Sequence, residues 1–80
     1  MKILTRDDRV FRGTPLQIVR AMQDTAFDVQ DFTARKYIEW VVANAARFEN
    51  VELVVTGETD DELAASLVEE LVRVGLTSRL

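Results

Sequence analysis

KILTRDDRVFRGTPLQ, residues 2–17, decides the fold, because it predicts a β-hairpin that leads directly into a helix. The runs ILT and RVFR are separated by the polar RDD, and Gly13 closes the unit. Thr14 is then suited to be the N-cap of a helix, Pro15 fits its first position, and Gln17 completes a capping box. A hairpin that feeds a helix indicates an α+β domain.

Two loops fit this hairpin. If Arg6 and Arg9 bracket a two-residue turn, Leu4 lies opposite Phe11, which is a sensible cross-strand pair. Asp-Asp lacks the glycine that a type I′ turn prefers, so a longer loop is an equal alternative.

Apolar residues at spacings of three and four predict three helices in all. The first is expected to end near Thr25 or Phe27. A second, capped by Asp31 or Thr33, is expected to run to about Phe48. The third begins at another capping box, formed by Thr59 and by Glu62 three residues later, with a buried seam of leucines and valines behind it.

Between the second and third helices, residues 51–55 (VELVV) alternate briefly and predict a third strand. Asn50 is expected to take a left-handed conformation where the second helix ends. Gly75 and Leu76 are expected to close the third helix in a Schellman motif. The last four residues, 77–80 (TSRL), are expected to be a tail.

The predicted order is therefore β-β-α-α-β-α. Three strands cannot bury both faces alone, so the sequence predicts a small two-layer α+β domain whose three-stranded, mostly antiparallel sheet is covered by helices. Eighty residues make one domain at most, and we assign residues 1–80 to it. The alternative is an all-helical fold in which the first strands are extended arms.

Composition argues against catalysis. There is no cysteine and no histidine, which excludes a Cys/His zinc site, a thiol nucleophile and the commonest general base. The carboxylates Glu58, Asp60, Asp61 and Glu62 crowd one turn, as a hard cation would require. Their position at a helix N-terminus is better explained by capping and by the helix dipole. We therefore expect a non-enzyme with neither metal nor cofactor.

Charge is unevenly spread over the chain. The net charge is −4, to which residues 1–36 contribute +2 and residues 37–80 contribute −6. An acidic protein is an unusual nucleic-acid binder, but a local basic face remains an alternative, with Trp40 stacking on a base. The residues that would carry it, besides Lys2 and Lys36, are Arg6, Arg9, Arg12 and Arg35.

The second helix contains the single tryptophan, within RKYIEWVVANAAR at residues 35–47. At 100° per residue its core stripe comprises Tyr37, Ile38, Val41, Ala45 and Phe48. Trp40 lies at the border of that stripe, and its neighbours there are Lys36, Asn44 and Arg47.

Two interpretations of Trp40 stay open. It packs at the domain edge with Lys36 lying on its ring, or it anchors an interface, where tryptophan and arginine are enriched. Either way we expect a partly buried ring with one edge reachable by solvent. The functional prediction is a non-catalytic protein-interaction module, whose partner is another protein or a second copy.

No stretch resembles an export signal, and no apolar run is long enough to span a membrane. A cytoplasmic location that involves no membrane is therefore expected.

Overall fold

Three strands and three helices make up the protein, according to a computed structural model that describes residues 1–80. Their bounds are β1 Lys2–Thr5, β2 Val10–Arg12, α1 Pro15–Thr25, α2 Ala34–Phe48, α3 Asp60–Arg73 and β3 Thr77–Arg79. The strands form one antiparallel sheet in the order β2-β1-β3. The predicted α+β class is confirmed, with the element order β-β-α-α-α-β.

The hairpin is present, with the longer of the two expected loops. Thr5 N–H donates to Arg9 O at 2.9 Å, Asp8 N–H donates to Thr5 O at 3.1 Å, and Asp8 has a φ of 64°. This is a three-residue loop with a left-handed third residue. Ile3 therefore lies opposite Phe11, and the pairing of Leu4 with Phe11 is wrong.

The helices start at the predicted caps. In α1 the Thr14 hydroxyl accepts from Gln17 N–H, and the Gln17 side chain accepts from Thr14 N–H in return. Thr59 and Glu62 form the same reciprocal pair at α3. For α2, Thr33 rather than Asp31 is the cap. Short local signals therefore determine all three starting points.

The Schellman motif that ends α3 is also confirmed. Leu76 N–H donates to Leu71 O at 2.9 Å and Gly75 N–H donates to Val72 O at 3.1 Å, with Gly75 at a φ of 82°. The end of α2 carries the predicted left-handed Asn50, whose φ is 55°. Each of these left-handed residues ends a helix and changes the direction of the chain.

Two segments exchange their predicted roles. Residues 51–55 belong to no strand or helix, whereas Thr77–Arg79, expected to be a tail, forms β3. The pairing partner of β3 is the central strand β1, with Leu4 opposite Ser78. The Schellman turn causes this exchange, because it sends the chain from α3 directly to the open edge of β1.

The core lies between the sheet and the helices. α1 and α3 lie against one sheet face, and α2 packs on these two helices. The largest side chains with no exposure are Ile3, Ile18, Leu67, Val19 and Val68. The Cα radius of gyration is 11.4 Å, against about 11.6 Å expected for a compact domain of this length.

The connection between α1 and α2 is fastened by a buried amide that the sequence did not reveal. Gln23 is buried, and its Nε2 donates to Val29 O at 2.8 Å and to Phe32 O at 2.7 Å. These carbonyls belong to an irregular segment, so the amide supplies hydrogen bonds that a helix or sheet would otherwise provide.

As for membranes, none of the three helices has the length and apolar character that a crossing would require.

Candidate functional site

Trp40 lies at the border of the core, as its helical position predicts. Its exposed fraction is 36%, and its ring stacks on that of buried Tyr37 with the centroids 5.7 Å apart and the planes at 25°. Tyr37 therefore supports one face of the indole, and part of the residue remains exposed to solvent. The expected partial burial of Trp40 is confirmed.

A shallow groove of about 270 Å³ opens beside this ring. We call it the Trp40 groove; it is lined by Trp40, Val41, Asn44, Ala45, Phe48, Glu49 and Leu76. α2 supplies most of the lining, and the Schellman turn after α3 supplies Leu76. Folding of the two helix ends therefore assembles the groove.

Phe48 is the main departure from the helical-wheel analysis. Its helical position predicts a place in the core stripe, but 71% of the residue is exposed. It is the last residue of α2, and the helix extends beyond the core at that end. The Arg47 guanidinium lies 5.3 Å from the centre of the Phe48 ring, which places a cation next to one of the residues that line the groove.

The four residues predicted for an interaction surface are only partly brought together. Trp40 and Asn44 line the groove, and Arg47 reaches it through Phe48. Lys36 does not belong to it, because its ammonium lies 4.5 Å from the ring centre of Phe32 and not over Trp40. In the first of the two interpretations, a Lys36 ammonium over the Trp40 ring is therefore wrong.

Sequence reasoning missed Phe48, Glu49 and Leu76 as groove residues. A usable signal existed for Leu76, since the apolar residue of a Schellman motif packs back on its helix. No local signal marks Glu49, whose position depends on how α2 meets the hairpin.

The hairpin arginines that could serve nucleic acid already contact carboxylates. Arg6 Nη1 lies 3.2 Å from Glu49 Oε2, and Arg9 Nε lies 3.1 Å from Asp7 Oδ2. A hydrogen bond from the Thr5 hydroxyl, with further help from Arg9, holds the pKa of Asp7 below its ordinary value. These carboxylates compete with any phosphate.

The remaining two arginines do not complete a basic face. Arg35 Nη2 donates to Glu58 O at 2.7 Å, and its Nε lies 3.8 Å from Asp60 Oδ1. Arg35 lies in the first turn of α2, whereas Arg6 contacts Glu49, which follows the last turn of α2. At 1.5 Å per residue, the two ends of this helix are about 20 Å apart. Arg12 makes no ion pair.

Side chains with shifted pKa values all have structural explanations. Burial raises the pKa of Tyr37 to about 12. Hydrogen bonds from Thr59 lower the pKa of Glu62 within its capping box. Hydrogen bonds from Arg73, and then from Val54 N–H, lower the pKa of Glu70 to about 2. None of these groups is poised to exchange a proton near neutral pH.

Two carboxylates of the acidic turn at the start of α3 already have partners. Glu62 accepts from Thr59 N–H at 3.1 Å, and Asp60 lies beside Arg35. No group of three or more His, Cys, Asp or Glu side chains is arranged to hold a metal ion.

Comparison of the chain with protein-family models, with curated proteins and with solved structures finds no match.

Proposed function

We propose that this protein is a non-catalytic protein-interaction module and that the Trp40 groove is its contact surface. The observation that carries the proposal is the pair of aromatic rings, Trp40 and Phe48, held on the rim of an open groove. Neither ring belongs to the buried core, and both are exposed enough to contact a partner, which supports the proposal.

The chemistry of the groove suits a protein partner. Aromatic rings and arginine are the side chains enriched where interfaces concentrate their binding energy. Asn44 and Glu49 add hydrogen-bonding groups at the edge of an otherwise apolar lining, and Arg47 adds a cation. A second copy is the partner to test first, because it requires no other molecule.

Sedimentation velocity at high micromolar concentration provides the test. We expect wild type to dimerise and Trp40→Ala to sediment as a monomer, since loss of a central anchor costs at least about 2 kcal/mol. Phe27→Ala is the matched control, because Phe27 is 86% exposed but lies outside the groove. That variant should dimerise like wild type.

A strictly monomeric wild type would rule out self-association through this groove. The proposal would then depend on a different protein that binds wild type and Phe27→Ala but not Trp40→Ala. Circular dichroism of the three proteins shows whether Trp40→Ala retains the fold.

A nucleic-acid interface remains the alternative. The ion pairs of Arg6, Arg9 and Arg35 and their separation along the molecule weigh against it. A mobility-shift assay with short single- and double-stranded nucleic acids at low salt tests this alternative, because phosphate contacts are strongest at low salt.

A further inference from the structure

All three helices lie on one side of the sheet, so its other face is uncovered. α1 contacts β2, α3 contacts β3, and α2 packs on those two helices. Paired residues share a face of a sheet, and successive residues in a strand alternate between faces. Ile3 is fully buried and pairs with Phe11, which packs on the core, so their neighbours in each strand point the other way. We call that side the open face; it carries Lys2, Leu4, Val10, Arg12, Ser78 and Leu80.

Half of the residues on the open face are apolar. Leu4 in the central strand lies opposite Val10, and neither side chain packs against the core. Val10 is 46% exposed and Leu80 is 60% exposed, although the solvent face of an antiparallel sheet is typically polar. These three side chains therefore form an apolar surface that folding leaves in contact with water.

The open face also carries two adjacent cations. Lys2 lies directly opposite Arg12. The pair before them, Met1 and Gly13, exchanges both backbone hydrogen bonds, each 3.0 Å long. Lys2 and Arg12 are therefore a non-hydrogen-bonded pair, the kind in which side chains lie closest. Like charges in such a position destabilise a sheet, and neither cation forms an ion pair that would offset this.

No carboxylate side chain belongs to the open face. Asp7 and Asp8 lie in the hairpin loop, at the opposite end of the strands from Lys2 and about 13 Å away at the rise of a β-strand. Asp7 is already paired with Arg9. The first turn of α1, which follows β2, contains no acidic residue either. The uncompensated charge of the open face is therefore positive, which favours an acidic occupant.

The geometry of the sheet favours a helix as that occupant. The central strand β1 is paired on both sides, so it offers no backbone groups, and an occupant must satisfy its own backbone hydrogen bonds. Three strands spaced about 4.8 Å apart span about 10 Å. An α-helix with its side chains is also about 10 Å across. One helix can therefore cover the width of the open face.

Other occupants fit less well. Two copies joined through their open faces would bring both cation pairs into one interface that holds no carboxylate side chain. A single-stranded nucleic acid would find no aromatic ring to stack on, because Phe11 packs on the core. An anionic membrane would gain only two cations from this face and would be repelled by a protein whose net charge is −4.

We propose that the open face binds an acidic amphipathic helix of another protein. The apolar stripe of that helix covers Leu4, Val10 and Leu80, and its carboxylates pair with Lys2 and Arg12. Binding thereby relieves the repulsion between the two cations. The open face shares no residue with the Trp40 groove, so the inference goes beyond the proposed function.

Nuclear magnetic resonance titration with a capped helical peptide of about 18 residues tests the site. Leucines recur in it at spacings of three and four, and glutamate, glutamine and alanine fill the other positions. We expect the amide signals of Leu4, Val10 and Ser78 to shift. A peptide of equal composition with its leucines dispersed around the helix should bind at least about tenfold more weakly, because it buries less apolar surface. A peptide with lysine in place of glutamate should shift none of these signals.

Arg12→Glu separates binding from folding. It places an opposite charge beside Lys2 and should therefore raise the denaturation midpoint of the free protein, yet weaken peptide binding roughly three- to tenfold. Loss of the fold then cannot explain the weaker binding. Arg20→Glu changes net charge equally at an exposed position of α1, on the other side of the sheet, and should have a smaller effect. Trp40→Ala should bind the peptide like wild type.

Four results would overturn the inference. One is the absence of shifts at millimolar peptide. Another is equal binding by the peptide with dispersed leucines, which indicates charge attraction without helix packing. The third is tighter binding of a short oligonucleotide or of anionic vesicles at the same residues, which would assign the open face to phosphate groups. The last is dimerisation of the peptide-free protein that Val10→Lys disrupts and Trp40→Ala does not, which would make a second copy the occupant.

Discussion

Trp40 and Phe48 differ in how far a helical wheel predicts their surroundings. The wheel places Trp40 at the border of the core, and the structure leaves it 36% exposed. The same wheel places Phe48 in the core, although it is 71% exposed. A wheel describes direction around the helix axis but not position along it, so it fails for a residue at the helix end.

Glu70 shows how one side chain fixes an irregular segment. Its Oε1 accepts from Val54 N–H at 2.8 Å, and its Oε2 lies 2.7 Å from Arg73 Nε. These bonds hold the pKa of Glu70 at about 2, below its ordinary 4.5. A depressed pKa in the folded state means that the carboxylate stabilises the fold at neutral pH.

We therefore predict that Glu70→Gln lowers the free energy of unfolding at pH 7. The difference from wild type should narrow as pH falls from about 4.5 and be lost only below about pH 2, once Glu70 is protonated in the folded state as well as in the unfolded state. Chemical denaturation across this range measures it, with the exposed neighbour in Glu69→Gln as control. A difference that does not change with pH would mean that the charge of Glu70 contributes nothing.

At the scale of elements, the helix starts were predictable because a cap depends on three or four consecutive residues. The two capping boxes, Thr14 with Gln17 and Thr59 with Glu62, satisfy backbone N–H groups at the helix start whatever the helix later packs against. Strand pairing depends on distant residues instead. VELVV has the composition of a strand, but its backbone bonds to side chains of α3, and no local pattern reveals that.

The role of Gln23 also depends on residues outside its own helix, since its hydrogen-bond partners lie in the α1–α2 connection. Gln23→Glu replaces the donating amide by a carboxylate facing the carbonyl oxygens of Val29 and Phe32. We expect a loss of about 2–3 kcal/mol in unfolding free energy at neutral pH, the cost of burying an unsatisfied charged group. Because a protonated carboxyl can donate, part of this loss should be recovered on acidification.

Chemical denaturation at neutral and acidic pH measures both effects. Gln30→Glu makes the same chemical change at an exposed position of the same connection, where water can replace the hydrogen bond that the Gln30 amide donates to Ala26 O, and it should cost clearly less than Gln23→Glu. Equal costs for the two variants would contradict the role assigned to the Gln23 amide.

For the whole molecule, the fold class was predictable although the third strand was not. The hairpin and three amphipathic helices already require a helix-covered antiparallel sheet. Which segment joins β1 depends on the direction in which the chain leaves α3, and the Schellman turn at Gly75 sets that direction. The candidate site was predictable only in part for the same reason. Trp40 and Asn44 lie on one helix, so its periodicity places them together, whereas Leu76 comes from another part of the chain.

The sheet itself can be tested with two prolines in β3. Leu80 N–H donates to Lys2 O at 3.0 Å, so by alternation the N–H of Ser78 points to β1 and that of Arg79 points away. Ser78→Pro removes a donor from the ladder, whereas Arg79→Pro removes an N–H that faces solvent. Both variants put the same ring into the same strand, so their difference isolates the strand pairing. We expect Ser78→Pro to unfold more easily than Arg79→Pro by at least about 1 kcal/mol in chemical denaturation; equal stabilities would contradict the pairing of β3 with β1.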